Sequence, residues 1–398
     1  MPLNFALLET ESIKRKDYLV KWRRLFHQHP EVGLDVPFAR DVIITHLHEI
    51  GLARAYRSLK AGIIVELSGG NRDLSSTVAF RVDMDALPLK EKTNLPYASS
   101  MEGCMHGCGH DAHTAIGLGV IDVLHSLKDT WKGAVRVIFQ SGEEVLQGAK
   151  LMLTEGALNN PGVVALLGCH IEPKIALGSV GLKSGQINAY TDEFHLFIKG
   201  KSTHGASPHL GCDPVVAASF AIQALQTIVS RSISPLESAV ISIGEIKGGS
   251  VSNVIPDEVK VKGTIRSLNS KTRDLIFLRM SSILSGLETC FDVQTEIVFT
   301  ANSPPVICDE KLTRRCFEMI KEVVGEEKVI NLSVPQLGGD DFAFFAQKVP
   351  ATMIRLGCGK ENYTFPLHSS HFNFDEEVMV MGVALFSYLL THLALPTT

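Results

Sequence analysis

Three apolar runs in this chain, residues 77–82, 134–140 and 163–167, each break off on side chains that a hydrophobic core does not tolerate. The first ends on Asp83 and Asp85, the second on Glu143 and Glu144, the third on His170. Continuous apolar runs of this kind belong to strands buried on both faces, as in the sheet of an α/β protein. Polar residues at the carboxyl ends of such strands sit where ligands bind. Asp83 and Asp85 are two positions apart and share a side if the strand continues, so one of them is placed to orient a ligand histidine. Glu143 and Glu144 are adjacent carboxylates, an arrangement that is costly without nearby positive charge. A bound cation would supply that charge, with one Glu as ligand and its neighbour as general base to a water molecule.

Between the first two strand ends lies Met105-His106-Gly107-Cys108-Gly109-His110-Asp111-Ala112-His113, a thiol and three imidazoles in nine residues. Thiolate and neutral imidazole are the ligands of a borderline divalent cation. A Cys-Gly-His link lets both donors reach one ion with no Cβ in the way, so Cys108 and His110 are read as metal ligands. The chain has no Cys-x-x-Cys pair, which speaks against a structural zinc knuckle. Further donors must come from distant segments. His170 is one candidate, and His368 or His371 in Pro366-Leu367-His368-Ser369-Ser370-His371-Phe372 is another. His27 and His29, at the end of an N-terminal helical pattern, read as solvated histidines.

At 398 residues the chain exceeds one ordinary core, and about two domains are expected. With 45% hydrophobic and 20% charged residues it has the composition of a soluble globular protein. A net charge of -5 lacks the basic footprint that nucleic-acid binding requires. The first twenty residues carry Glu9, Glu11, Lys14, Arg15, Lys16 and Asp17, unlike a secretory signal or anchor, and no apolar run is long enough to span a membrane. Eight scattered cysteines fit a reducing cytoplasm rather than a disulfide-stapled scaffold.

A strand over 61–67, ending at Ser68-Gly69-Gly70-Asn71, and a helix over 114–127 complete the first α/β stretch. From about Gln186 the pattern changes: residues 192–199 alternate, followed by a helix over 213–231, strands over 239–246 and 258–266, a helix over 271–287 and a strand over 291–299. That order, β-α-β-β-α-β, is the ferredoxin-like split pattern. After Pro304-Pro305 the α/β style returns, with helices over 309–324 and 376–393 and a strand over 352–356. Residues 1–186 and 301–398 are therefore expected to form one metal-binding catalytic domain, with 187–300 inserted into it.

Taken in order, Arg81-Val82-Asp83-Met84-Asp85-Ala86-Leu87-Pro88, Met105-His106-Gly107-Cys108-Gly109-His110-Asp111, Ser141-Gly142-Glu143-Glu144, Cys169-His170, Asn253-Val254-Ile255-Pro256 and Gly263-Thr264-Ile265-Arg266-Ser267 resemble the family of hippurate hydrolase, the indoleacetyl-amino-acid hydrolases and bacterial N-acyl-amino-acid amidohydrolases. The resemblance covers essentially the whole chain. It implies a mixed-sheet, zinc-peptidase-like α/β catalytic domain with an inserted ferredoxin-like α+β lid that dimerises, and two divalent ions per subunit (Zn, Mn, Co or Ni). It implies that Cys108, His110, Glu144, His170 and His368 ligate the metals, that Glu143 is the general base, and that His204 polarises the scissile carbonyl from the partner subunit. Asn253 and Arg266 would hold the substrate's carboxylate. The reaction implied is hydrolysis of N-acyl-L-amino acids to a carboxylate and a free amino acid. Rival readings are a carboxypeptidase or dipeptidase on the same scaffold, a cysteine hydrolase built on Cys108, and a metal-dependent binding protein without turnover. The chain departs from the family at Ser141-Gly142 (Pro-Ala is usual), at Ser202-Thr203 (Gly-Gly) and at Gly339-Asp340-Asp341 (Gly-Ser-Glu-Asp for residues 338–341). The last two are expected to touch substrate fit.

Overall fold

The computed structural model describes residues 3–70 and 77–395, so Asn71 of the expected turn lies outside the described residues. The chain divides into two compact units. The first runs to Ile187 and takes up again over Val306–Val334 and from Asp341 onward; the second is Asn188–Pro305 with Pro335–Asp340.

Along the first unit come α1 (Phe5–Lys14), α2 (Lys16–Gln28), α3 (Pro37–Glu49), β1 (Tyr56–Leu59), β2 (Gly62–Gly69), β3 (Thr77–Asp83), α4 (His110–Ser126), β4 (Gly133–Gln140), α5 (Gly148–Thr154), β5 (Val163–Ala176), β6 (Val180–Leu182) and β7 (Gly185–Gln186). The second unit carries β8 (Tyr190–Lys199), β9 (Thr203–His204), α6 (Pro214–Thr227), β10 (Ala239–Gly248), β11 (Val254–Ile255), β12 (Glu258–Ser267), α7 (Ser270–Phe291) and β13 (Gln294–Ser303). The first unit then resumes with β14 (Ile307–Cys308), α8 (Glu310–Val324), β15 (Val329–Asn331), α9 (Phe342–Ala346), β16 (Ala351–Gly359) and α10 (Glu377–Leu393).

The first unit is an eight-stranded mixed sheet, in the order β1-β2-β4-β3-β5-β16-β6-β15. Its central strands β4, β3, β5 and β16 are mutually parallel and largely apolar, because both faces are covered. The pleat sends Val78, Phe80 and Val82 to the face packed by α1 to α4, α8 and α10, and Ala79, Ile138 and Leu166 to the face packed by α5 and α9. Arg81, Asp83 and Gln140 share the parity of the second set, so these polar side chains end up buried along the same rows.

In the second unit the sheet order β10-β12-β8-β13, all antiparallel, is the ferredoxin-like arrangement of a β-α-β-β-α-β chain. Alternation decides which face is covered: Phe194, Leu196 and Ile198 of β8 join Val259, Val261 and Ile265 of β12 under α6 and α7, while His195 and Phe197 point away. The inserted unit extends past residue 300 because β13 stays paired with β8 as far as Ser303. Pro335–Asp340 adds to it through the Ala189 N–H, which donates to Gly338 O at 3.2 Å, and the Ser303 hydroxyl, which donates to Asp340 O at 3.1 Å. Among the described residues, no helix is long and apolar enough to cross a membrane.

Candidate metal centre

The parallel strands β3 and β4 end side by side, with Asp83 opposite Gln140. β5 does not stop there. Its pairing with β3 ends at Gly168, but β16 continues alongside it and supplies backbone partners as far as Ala176. His170 therefore lies inside a long strand, opposite Arg355, rather than at the strand end the sequence suggested. It still emerges at the edge where β3 and β4 finish.

Helix α4 begins at His110, a turn earlier than expected, so His110 and His113 both project from its first turn. Gly109 makes this start: its φ is +90°, and a Cβ there would collide with Ile171 Cδ1. The His110 Nδ1–H donates to the Asp85 carbonyl at 2.8 Å. Its Nε2 is buried and has no hydrogen-bond partner among the described residues. A neutral imidazole whose Nδ1–H is committed to a carbonyl presents the Nε2 lone pair, the tautomer of a metal ligand.

The other expected donors gather around it. Cys108, His110 and His170 offer ligand atoms that lie within 4.8 Å of one another, and so do Cys108, Glu144 and His368. The Cys108 thiol, common to both groups, is 3.6 Å from His170 Nε2. His170 is oriented by its own strand, its Nδ1–H donating to Ile171 O at 2.6 Å, and burial together with His113 pushes it well below the usual imidazole range. It is thereby kept neutral. His368 has a left-handed backbone (φ 63°), which costs about 1–2 kcal/mol outside glycine. Its N–H donates to Gly107 O at 2.8 Å, tying its loop to the Cys/His loop and setting Nε2 3.3 Å from Glu144 Oε1. The alternative, His371, instead stacks on Phe365 and shares a contact with Ser370 Oγ.

Asp85 fixes the two glutamates. Its carboxylate accepts the Glu143 N–H at 3.0 Å and the Glu144 N–H at 3.1 Å, while its carbonyl holds His110. Burial and the adjacent Glu144 push its carboxyl well above the ordinary range, against the pull of those two N–H bonds. The cluster is short of positive charge. Burial, Glu144 and Glu143 likewise push the Cys108 thiol well above its usual value. A cysteine nucleophile needs the reverse, an electropositive setting that favours thiolate, so the cysteine-hydrolase reading fails here. A cation repairs both deficits at once, since a coordinating thiol is deprotonated by the ion it binds.

Asp83 and His113 stand behind these donors. His113 Nδ1–H donates to Asp83 Oδ1 at 2.6 Å and its Nε2 accepts the Ile171 N–H at 2.9 Å, so both ring nitrogens are occupied. Burial would raise the Asp83 carboxyl, but His110, Arg81 and His113 hold it well below the usual range.

His27, expected to be solvated, is fully buried. Its Nδ1 lies 2.8 Å from Asp111 Oδ2 and its Nε2 3.3 Å from Glu91 Oε1. Arg23, also buried, donates from Nε to Asp111 Oδ2 at 2.9 Å and reaches Asn373 and Glu376 with its other nitrogens. This guanidinium thus joins the start of α4 to the segment following His368. No local pattern signals it, because its partners are far along the chain. Gly339-Asp340-Asp341, expected to touch substrate fit, is packed inside instead. A Cβ at Gly339 would collide with Thr191 Oγ1, and Asp341 is fully buried.

The remaining expected residues belong to the second unit. His204 is exposed on β9, paired opposite Val254 of β11, and its neighbour's N–H donates to Asn253 O at 2.8 Å. The Ala206 N–H donates to His204 Nδ1 at 3.0 Å, which leaves the proton of a neutral ring on Nε2, free to donate. Asn253 is exposed. Arg266, on β12 opposite Thr191, is half-buried, and its Nη1 has no hydrogen-bond partner among the described residues.

Known proteins resemble this chain in both sequence and fold. The model of "Peptidase family M20/M25/M40" matches residues 79–392. An N-acetyl-L-cysteine deacetylase of Bacillus subtilis (strain 168) is 36% identical over 380 residues, 95% of this chain and 87% of that protein. An IAA-amino acid hydrolase ILR1-like 2 of Arabidopsis thaliana is 33% identical over 374 residues, 93% of this chain and 83% of that one. Among solved structures, a Bacillus subtilis protein described as a dinuclear metal binding peptidase from the M20 family aligns with a TM-score of 0.75 at 31% identity, covering 95% of this chain and 98% of its own. A buried imidazole nitrogen with no hydrogen-bond partner among the described residues, an acidic cluster short of positive charge and a match over nearly the whole length agree: the chain belongs to peptidase family M20/M25/M40 and is a metal-dependent amidohydrolase.

Proposed function

We propose that the enzyme cleaves the amide bond of N-acyl-L-amino acids, with N-acetyl, aryl-acyl and hippurate-like compounds as the substrate class, releasing a carboxylate and a free amino acid. The observation that carries this reading is the meeting of Cys108, His110, Glu144, His170 and His368, drawn from separate segments, in two donor groups that share one thiol. Cys108, His110 and His170 would hold one cation, and Cys108, Glu144 and His368 the other. Two divalent cations bound there would supply Lewis-acid polarisation of the scissile carbonyl and would lower the pKa of a water molecule toward about 7. Glu143, set by Asp85 through its backbone N–H, takes the water's proton and returns it to the leaving nitrogen. As the resemblance implies, His204 would reach the partner subunit's centre and offer its Nε2–H to the developing oxyanion there, and Asn253 and Arg266 would hold the substrate's carboxylate, for which a guanidinium with an uncommitted Nη1 is well shaped.

Zinc, manganese, cobalt and nickel all suit a donor set of one thiolate, imidazoles and carboxylate, and elemental analysis of the purified protein decides among them. The enzyme acts as a homodimer through its second unit. Supporting this, Val215, Val216 and Phe220 of α6 and Val240 of the edge strand β10 are exposed apolar side chains. A cytoplasmic location accords with all eight cysteines being free. The test of function is Glu143→Gln assayed beside the unaltered enzyme on N-acetyl, N-benzoyl and dipeptide substrates. Turnover should vanish while metal content stays; unchanged turnover overthrows the role of Glu143, and preference for dipeptides favours a dipeptidase.

A further inference from the structure

The carboxylate of Asp83 lies nearer to the donor cluster than its hydrogen bonds require. Its Oδ2 is 3.7 Å from the Nε2 of His110, which has no hydrogen-bond partner among the described residues, and Asp83, His110 and His113 form a third group of potential ligand atoms within 4.8 Å of one another. An anionic oxygen in that position is a natural ligand for an ion seated on His110. Yet both oxygens are occupied: Oδ1 accepts from His113 Nδ1 at 2.6 Å and Oδ2 from Arg81 Nη1 at 2.7 Å.

Arg81 is itself immobilised. Its Nε donates to Gln140 Oε1 at 2.9 Å and its Nη2 to Asp341 Oδ1 at 3.0 Å. Asp341 also accepts the Gln140 side-chain amide at 2.7 and 2.9 Å, and the Ala149 N–H at 2.8 Å. Arg81, Asp83, Gln140 and Asp341 are all fully buried. A planar, permanently charged fork clamped on three sides cannot release one carboxylate oxygen without stranding the rest of the network.

We propose that Arg81, fastened by Asp341 and Gln140, withholds the Asp83 carboxylate from the metal centre and so sets which cations the centre prefers. With Asp83 withheld, the donors at His110 are thiolate and imidazole, which favour borderline ions; with Asp83 released, a hard oxygen joins them and favours manganese over zinc. The inference rests on the metal-centre reading above.

Two measurements test it on the full-length protein. First, Asp83→Asn is loaded with Co2+, and its metal content and visible absorption spectrum are compared with those of the unaltered protein. An unchanged cobalt stoichiometry and ligand field is expected, since Asp83 is not a ligand; loss of an ion or a changed coordination number overturns the proposal. Second, Arg81→Gln is combined with Asp341→Asn, so that the buried positive and negative charges are removed together. Competition between Mn2+ and Zn2+ should then shift toward Mn2+ by about ten-fold, the scale on which outer partners move metal affinity. The shift should disappear when Asp83→Asn is added. A Mn2+/Zn2+ ratio indifferent to Arg81 overturns the proposal, and should the double variant not fold, the Asp83→Asn comparison decides alone. An unaltered protein that binds no divalent cation stoichiometrically removes the metal-centre reading itself, a result distinct from an unmoved ratio.

Discussion

Asp85 offers the sharpest single-residue test of how Glu143, the proposed catalytic base, is held. Its two carboxylate oxygens accept the backbone N–H groups of Glu143 and Glu144, at 3.0 and 3.1 Å, inside a fully buried site. Asp85→Asn keeps the shape but turns one acceptor into an NH2 group that faces an N–H. One hydrogen bond to a charged acceptor is lost, about 1.5–3 kcal/mol, and one buried donor is left unsatisfied. The Glu143-Glu144 turn must then shift to relieve the donor–donor contact. A displacement of about 1 Å in a catalytic group costs roughly 100-fold in rate. With cations bound beside Glu144 the carboxylate form of Asp85 is favoured, so the comparison belongs to the metal-loaded enzyme. Urea unfolding should show a loss of about 2–3 kcal/mol, and steady-state kinetics a fall in kcat of about 100-fold with KM little changed. An Asp85→Asn enzyme of unaltered stability and turnover would mean that Asp85 is already protonated in the folded state, and the clamp as described would be refuted.

Other consequences are open to measurement. Arg23→Met leaves Asp111 buried without its guanidinium and should cost about 3–5 kcal/mol in chemical denaturation, part of it recovered on adding Asp111→Asn; a cost below about 1 kcal/mol contradicts the burial of that pair. Metal binding should release protons, because the Cys108 thiol is held protonated by burial, and bonding to Glu144 raises His368 above the usual imidazole range despite burial. Calorimetry in buffers of different ionisation enthalpy should find at least about one proton released per subunit at neutral pH, and none released would contradict the assignment of Cys108 as a ligand. Burial and Arg23 push His27 down, but its bonds to Asp111 and Glu91 outweigh them and raise it. The stability it contributes is therefore present below its unfolded value of about 6.5 and is lost as pH rises through the raised folded value. A His27→Gln variant should fall furthest short of the unaltered protein on the acidic side of neutrality, and a deficit that grows with rising pH would contradict this.

The strand ends are legible in the sequence because β3 and β4 are largely apolar runs that end on or just before acids, and a sheet buried on both faces writes itself into a sequence in that way. The alternation of Phe194, Leu196 and Ile198 reveals the inserted unit for the opposite reason, one face being wet. The continuation of β5 through Cys169-His170-Ile171-Glu172-Pro173 is not legible, since its polar residues and proline read as a loop and only β16, far along the chain, supplies the backbone partners. Arg23 and His27 escape notice because a charged helix end looks solvated until Asp111 is brought beneath it. Asp341 misleads in the same way: its partners Arg81 and Gln140 belong to strands that no local pattern connects to it.

The central claim is that distant donors meet around a pair of cations on which hydrolysis depends. Its most direct test is to strip the purified enzyme with chelator and titrate metal back while bound metal and hydrolysis of an N-acyl amino acid are followed in the same sample. The stripped enzyme should show no turnover, activity should rise to a plateau at two bound ions per chain, and a Cys108→Ser variant should fail to reach that stoichiometry. Full turnover in metal-free enzyme, or two ions bound as tightly without the Cys108 thiol, would contradict the claim.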